Sequence, residues 1–155
     1  MTRTGVYDEM AGRLAELLGD ETDFVANAAN TAAVVYGLLA DVSWVGIYVN
    51  RDGELVLGPF QGPPACTRIG FGEGVCGTAA AERRTVVVPD VRRFPGHIAC
   101  QADARSEIVV PIKVDGRIVG VLDVDSPVAD RFGADDEEGL ERLVAVFLRN
   151  TSMAL

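Results

Sequence analysis

Two runs of strand composition, Ser106 to Val114 and Arg117 to Ser126, meet at Asp115-Gly116, and this hairpin constrains the fold more than any other stretch. An Asp-Gly pair between two β-branched runs is a strong short-range signal for antiparallel pairing. Two registers compete. With a two-residue Asp115-Gly116 turn, Ile108 faces Asp123 and Glu107 faces Val124, so both faces mix charge with apolar residues. A register one residue different pairs Ile108 with Leu122, Val110 with Gly120 and Ile112 with Ile118, and sets Glu107 opposite Asp123. Burial favours the second, which requires a three-residue Val114-Asp115-Gly116 loop with a bulge at Gly116. Asp125 then shares a face with Glu107 and Asp123. Three carboxylates on one sheet face call for a cation, a shared proton or a bound ammonium group. The plainer alternative is a pair of solvated strand ends.

Upstream, Tyr7, Met10, Leu14, Leu17 and Leu18 recur at helical spacing before Gly19. A second helix runs from Phe24 to Leu39, with Asp20 or Thr22 as its cap. Residues 43–49 and 54–57 read as strands about an Asn50-Arg51-Asp52-Gly53 turn, and 58–64 as a turn or loop. A short strand at 67–69, a glycine loop, a helix from about Gly74 to Glu82 and a strand at 85–88 follow. Residues 89–105 form a long irregular loop, a length that often carries function. A closing helix at 135–148 presents Leu140, Leu143, Val144 and Phe147 on one face. Helices, then a run of antiparallel strands, then a helix define an α+β sandwich around one sheet.

A length of 155 residues with 48% hydrophobic content suits one domain with its own core. The net charge of −9 works against nucleic acid or an anionic membrane as principal partner. Acidic residues stand near the N-terminus where a signal peptide needs an apolar core, and no run reaches membrane-spanning length, so a reducing cytoplasm is the expected compartment.

The three cysteines, Cys66, Cys76 and Cys100, and the single histidine, His97, all fall between residues 66 and 100. An odd number of thiols argues against a stapled secreted framework. Zinc ligation by His97, Cys66, Cys76 and Cys100 lacks the paired Cys-x2-Cys spacing that such sites use, so no metal is expected. His97 reads as a hydrogen-bonded loop anchor. The Gly70-Phe71-Gly72-Glu73-Gly74 run has no following Lys-Ser/Thr and contains an acid, which weakens a phosphate-cradle reading. Its better role is to set Cys76 at a helix N-terminus, where the dipole lowers a thiol pKa.

A set of longer motifs then converges. Trp44-Val45-Gly46-Ile47-Tyr48, Leu57-Gly58-Pro59-Phe60-Gln61-Gly62, Ala65-Cys66, Gly74-Val75-Cys76-Gly77-Thr78-Ala79, Phe94-Pro95-Gly96-His97-Ile98-Ala99-Cys100, Ser106-Glu107-Ile108-Val109-Val110-Pro111 and Gly120-Val121-Leu122-Asp123-Val124-Asp125-Ser126-Pro127 together resemble the free methionine-R-sulfoxide reductases, an enzyme family built on the GAF domain. The resemblance runs over almost the whole chain, and ordinary GAF sensors lack the three-cysteine set.

The resemblance implies a single GAF-like domain over 1–155, with helices about 4–40, a mostly antiparallel sheet of about six strands and active-site loops about 43–126, and a closing helix about 134–150. It implies reduction of the R epimer of free, not peptide-bound, methionine sulfoxide through a cysteine sulfenic acid and an intramolecular disulfide. Thioredoxin is the external reductant, with no bound cofactor. Cys100 matches the family's nucleophile, Cys66 its main resolving partner and Cys76 the third cysteine. Trp44 and Tyr48 match pocket aromatics, and Glu107, Asp123 and Asp125 the substrate carboxylates. Arg92 and Gln101 depart from the family's usual histidine and aspartate. GAF domains often pair through helices outside the sheet, so a homodimer is the expected assembly. A small-molecule-sensing GAF module or a thiol redox sensor would share the fold, which leaves function to the site.

Overall fold

A computed structural model of the chain describes residues 2–98, 100 and 103–153. α1 (Arg3–Leu18) starts at Thr2, whose hydroxyl accepts the Gly5 N–H at 3.0 Å, and turns Tyr7, Met10, Leu14 and Leu18 inward. α2 (Phe24–Leu38) is capped by Asp23, which accepts the Ala26 N–H at 2.9 Å. Asp20 and Thr22 lie too far upstream to cap it, because helical geometry begins at Phe24. β1 (Trp44–Arg51), β2 (Glu54–Gln61), β3 (Arg68–Gly70), α3 (Gly74–Glu82), β4 (Val86–Val88), a 3-10 turn at Val91–Arg93, β5 (Ser106–Val114), β6 (Arg117–Ser126) and α4 (Ala134–Asn150) follow. No helix among the described residues is long and apolar enough to cross a membrane.

The strands form one antiparallel sheet in the order β3-β2-β1-β6-β5-β4, giving the α+β architecture expected from the element order. Period-two alternation divides the chain into two cores. Val45, Ile47, Val49, Ile108, Val110, Ile112, Leu122 and Val124 pack against the inward faces of α1, α2 and α4. Trp44, Tyr48, Val86, Val88, Val109 and Val121 lie on the opposite face with Val75, Cys76 and Ala79 of α3. On the helical side, buried Asp136 accepts from Tyr7 Oη at 2.9 Å and from the Gly133 N–H at 2.8 Å. It also pairs with Arg3 and Arg131 at 2.9 and 3.3 Å, tying the start of α4 to α1.

Two further expectations fail. Residues 58–61 belong to β2 rather than to a loop: Gly46 pairs with Phe60 and Tyr48 with Leu57, so Gly58 and Pro59 together face Ile47 as a bulge. A bulge is where a strand tolerates a proline that cannot donate to the ladder.

The hairpin register also differs. Asp115 and Gly116 have φ of 51° and 77°, the two left-handed residues of a two-residue type I′ turn, so Gly116 is a turn residue and no bulge forms there. Lys113 pairs with Ile118 and Ile112 with Gly120, which makes Val119 the extra residue of a bulge inside β6. Beyond it Ile108 pairs with Val124, Val110 with Leu122 and Glu107 with Asp125, not Asp123. Burial still sets the register, but the one-residue correction is made within the strand, after the tight turn has closed.

Candidate active site

The face of the sheet away from α1 carries the site. Along β1, Trp44 pairs with Asp125, Gly46 with Asp123 and Tyr48 with Val121. Along β5, Glu107 pairs with Asp125 and Val109 with Asp123. Glu107, Asp123 and Asp125 therefore share one face with both aromatics, and all three acids are at most 7% exposed. This rules out the solvated-strand-end alternative.

Gly46 makes the aromatic wall. A Cβ there would sit 2.3 Å from Trp44 Cη2 and 2.7 Å from Phe60 Cβ, so only glycine lets the indole fold across β1. The indole stacks on Phe60 with centroids 5.3 Å apart, and its Nε1–H donates to the Pro63 carbonyl at 3.0 Å. Tyr48 donates its hydroxyl proton to the Cys66 carbonyl at 2.9 Å, fixing the segment that carries that cysteine. Burial first, then the Asp123 charge, pushes the Tyr48 phenol far up, so it stays a donor.

α3 and, from the following segment, His97, Ile98, Cys100 and Ala104 surround the carboxylates. Cys76 lies in the first turn of α3, buried, with Sγ 4.0 Å from Glu107 Oε2. Cys66 and Cys100 form a disulfide, Cα to Cα 5.3 Å, which leaves Cys76 as the free thiol. His97, Ile98, Cys100 and Ala104 line a cavity of about 30 Å³ whose floor is Glu107, Asp123 and Asp125 and whose walls include Trp44, Tyr48, Ile69 and Cys76. The His97 N–H donates to the Phe94 carbonyl at 3.1 Å, and burial lowers the pKa of its imidazole.

Electrostatics here are set by burial. Desolvation raises Glu107, Asp123 and Asp125 well above the ordinary carboxylate range, and their mutual charge adds to it. Asp123 Oδ1 is buried with no hydrogen-bond donor among the described residues. The expected depression of the Cys76 thiol is overturned: burial, then the charges of Asp123 and Glu107, push it up, outweighing the helix dipole.

The structure brings together Cys66, Cys76, Cys100, Trp44, Tyr48, Glu107, Asp123 and Asp125 around one cavity. Arg92 is exposed on the 3-10 turn, its N–H bonded to Asp90 Oδ1 at 3.1 Å, and does not line the cavity. Gln101 lies outside the described residues. Three contributors went unread in the sequence. Gly46 clears space for the indole, Ile98 packs on Gly74, and Glu73 lines the cavity and accepts the Gly70 N–H at 3.2 Å. An acid inside a glycine run was the available signal for Glu73.

Six antiparallel strands with helices from both ends of the chain on one face, and a buried polar site under loops on the other, define a GAF domain, and the GAF domain family model matches residues 23–150. The chain is 49% identical over 145 residues to the free methionine-R-sulfoxide reductase of Escherichia coli, covering 94% of this chain and 88% of that protein. It is 45% identical over 131 residues to the free methionine-R-sulfoxide reductase of Saccharomyces cerevisiae, covering 79% and 73%. The X-ray structure of free methionine-R-sulfoxide reductase from Neisseria meningitidis in complex with its substrate superposes with a TM-score of 0.93 at 47% identity, covering 97% of this chain and 90% of that one. The chain belongs to the GAF domain family and, within it, to the free methionine-R-sulfoxide reductases.

Proposed function

We propose that this protein reduces free L-methionine-(R)-sulfoxide to methionine through the Cys66–Cys100 thiol pair, recycled by thioredoxin. The observation that carries it is a disulfide placed directly over a cavity floored by three buried carboxylates and walled by an indole. In the reduced protein the Cys100 thiolate attacks the sulfoxide sulfur. Glu107 or Asp123, protonated by burial, gives a proton to the sulfoxide oxygen, and an ionised neighbour holds the substrate ammonium. Oxygen passes to Cys100 as a sulfenic acid while methionine leaves with the electron pair. The Cys66 thiolate then attacks Cys100 Sγ, water leaves, and the disulfide forms; a dithiol reductant such as thioredoxin opens it by exchange. Trp44 offers its apolar face to the S-methyl group, and Tyr48 holds the Cys66 segment in reach.

About 30 Å³ admits a water or an ion but not an amino acid, so substrate enters only when the disulfide is reduced and the Cys100 segment moves off the carboxylates. Residues 1–155 act as a single cytoplasmic domain, as a homodimer, with no bound cofactor. The test is thioredoxin-coupled turnover with the separated R and S epimers and with sulfoxide held in a peptide. Turnover of the free R epimer alone is expected. Equal turnover of the S epimer or of the peptide, or no turnover of any of the three, would overturn the reading.

A further inference from the structure

His97 is the chain's single histidine, and it lines the cavity with Cys100, three residues on. Backbone bonds shape the stretch between them: the His97 N–H donates to the Phe94 carbonyl at 3.1 Å and the Cys100 N–H to the Ile98 carbonyl at 2.9 Å. One segment carries both residues, so they travel together when it moves off the carboxylates. Facing them are Glu73 and Cys76 at the start of α3, Tyr48 of β1, Glu107 of β5, and Asp123 and Asp125 of β6. Burial raises Glu107, Asp123 and Asp125 and lowers the imidazole, and groups pushed apart in this way divide the roles of acid and base. The carboxyl that protonates the sulfoxide oxygen cannot also open the Cys100 thiol, and an ionised neighbour is occupied by the substrate ammonium. Glu73 turns to the glycine loop, where it accepts the Gly70 N–H at 3.2 Å.

We propose that His97 is the base for Cys100: in the reduced protein its imidazole takes the thiol proton, and the imidazolium holds the thiolate for attack on the sulfoxide sulfur. This rests on the reductase reading for the identity of the attacking thiol. A free cysteine with a pKa of about 8.5 is mostly protonated at neutral pH, so a neighbouring base decides how much nucleophile stands ready. The protons balance over the cycle. The thiol proton waits on His97 while a floor carboxyl gives its own to the sulfoxide oxygen, leaving Cys100 as the sulfenic acid. The Cys66 thiol then reloads that carboxylate and attacks Cys100 Sγ. Hydroxide leaves, takes the imidazolium proton and departs as water, and His97 is neutral again.

A single histidine gives one imidazole to titrate by NMR, with no variant needed. In the reduced wild-type protein the His97 midpoint should rise above about 6.5, a value that exposure alone does not exceed, and alkylating the Cys66 and Cys100 thiols should bring it back down. The second measurement is the pH dependence of Cys100 alkylation by iodoacetamide in reduced protein, read by peptide mass. In His97→Gln its midpoint should move up by about one pH unit or more, because the thiolate has lost its cation. If His97→Gln does not fold, the wild-type titration decides the matter alone. A His97 midpoint that is the same in reduced and alkylated protein, or an alkylation midpoint unmoved in His97→Gln, would overturn the pairing. Neither measurement uses a sulfoxide. The pairing can therefore fail while the free R epimer is still turned over, and the reductase reading can fail while the pairing holds.

Discussion

Replacing Asp125 with asparagine separates what this face does for the substrate from what it costs the fold. Asp125 is 3% exposed and stands between Trp44 and Glu107 in the ladder. Asparagine keeps the shape and removes the charge. A hydrogen bond to a charged group is worth about 1.5–3 kcal/mol, which corresponds to about a 10- to 150-fold loss of kcat/KM on free methionine sulfoxide. N-acetylation of the substrate should cost the wild-type enzyme a similar factor. Acetylated substrate with the variant should lose little more, since both changes delete the same pair.

Stability should move the other way. Burial, then the Glu107 charge, raises Asp125 above the ordinary carboxylate value near 4. Between that value and its raised folded value the native state binds a proton that the unfolded chain has released, so stability falls as pH rises through the window. Asparagine does not titrate. Asp125→Asn should gain Tm over wild type above the ordinary carboxylate range, at about 2–4 °C for each kcal/mol, and the gain should fade below it. A variant that loses Tm at about pH 8, with kcat/KM unchanged on both substrates, would refute the reasoning.

Gly46→Ala places a methyl 2.3 Å from Trp44 Cη2 and should cost about 1–3 kcal/mol as the indole shifts; unchanged fluorescence of this single tryptophan and an unchanged Tm would contradict that. Asp136→Ala strands the 8%-exposed Arg131 and should cost about 3–5 kcal/mol in urea unfolding while leaving kcat/KM per folded molecule intact, because the network lies on the opposite side of the sheet. A loss of kcat/KM without loss of stability would contradict that separation.

Much of this site was legible because strand alternation is rigid. Once residues 106–126 are read as a hairpin, Glu107, Asp123 and Asp125 fall on one face in any register that buries Ile108, Val110 and Ile112. That is why the shared face survived although Glu107 meets Asp125 and not Asp123. The bulge at Val119 was invisible because Val119 is as good a strand residue as its neighbours; only closing the Asp115-Gly116 turn and burying Ile108 together demand it. Pro59 hid the second half of β2 for the opposite reason, since a proline argues against a strand until the bulge opposite Ile47 is known. The rise of the Cys76 pKa was out of reach too, because a helix N-terminus is local while the burial that opposes it, and after it the Asp123 and Glu107 charges, come from packing against strands far along the chain.

The reaction itself is tested most directly by methionine release in a single turnover, without a recycling reductant, from pre-reduced cysteine variants. Cys100→Ser should release none. Cys66→Ser should release about one methionine per chain and then recycle poorly with thioredoxin, because sulfoxide reduction precedes disulfide formation. Cys76→Ser should keep its burst, because burial, then the charges of Asp123 and Glu107, push the wild-type Cys76 thiol up and away from the thiolate a nucleophile needs. A full burst from Cys100→Ser with none from Cys76→Ser would make Cys76 the nucleophile and contradict the assignment.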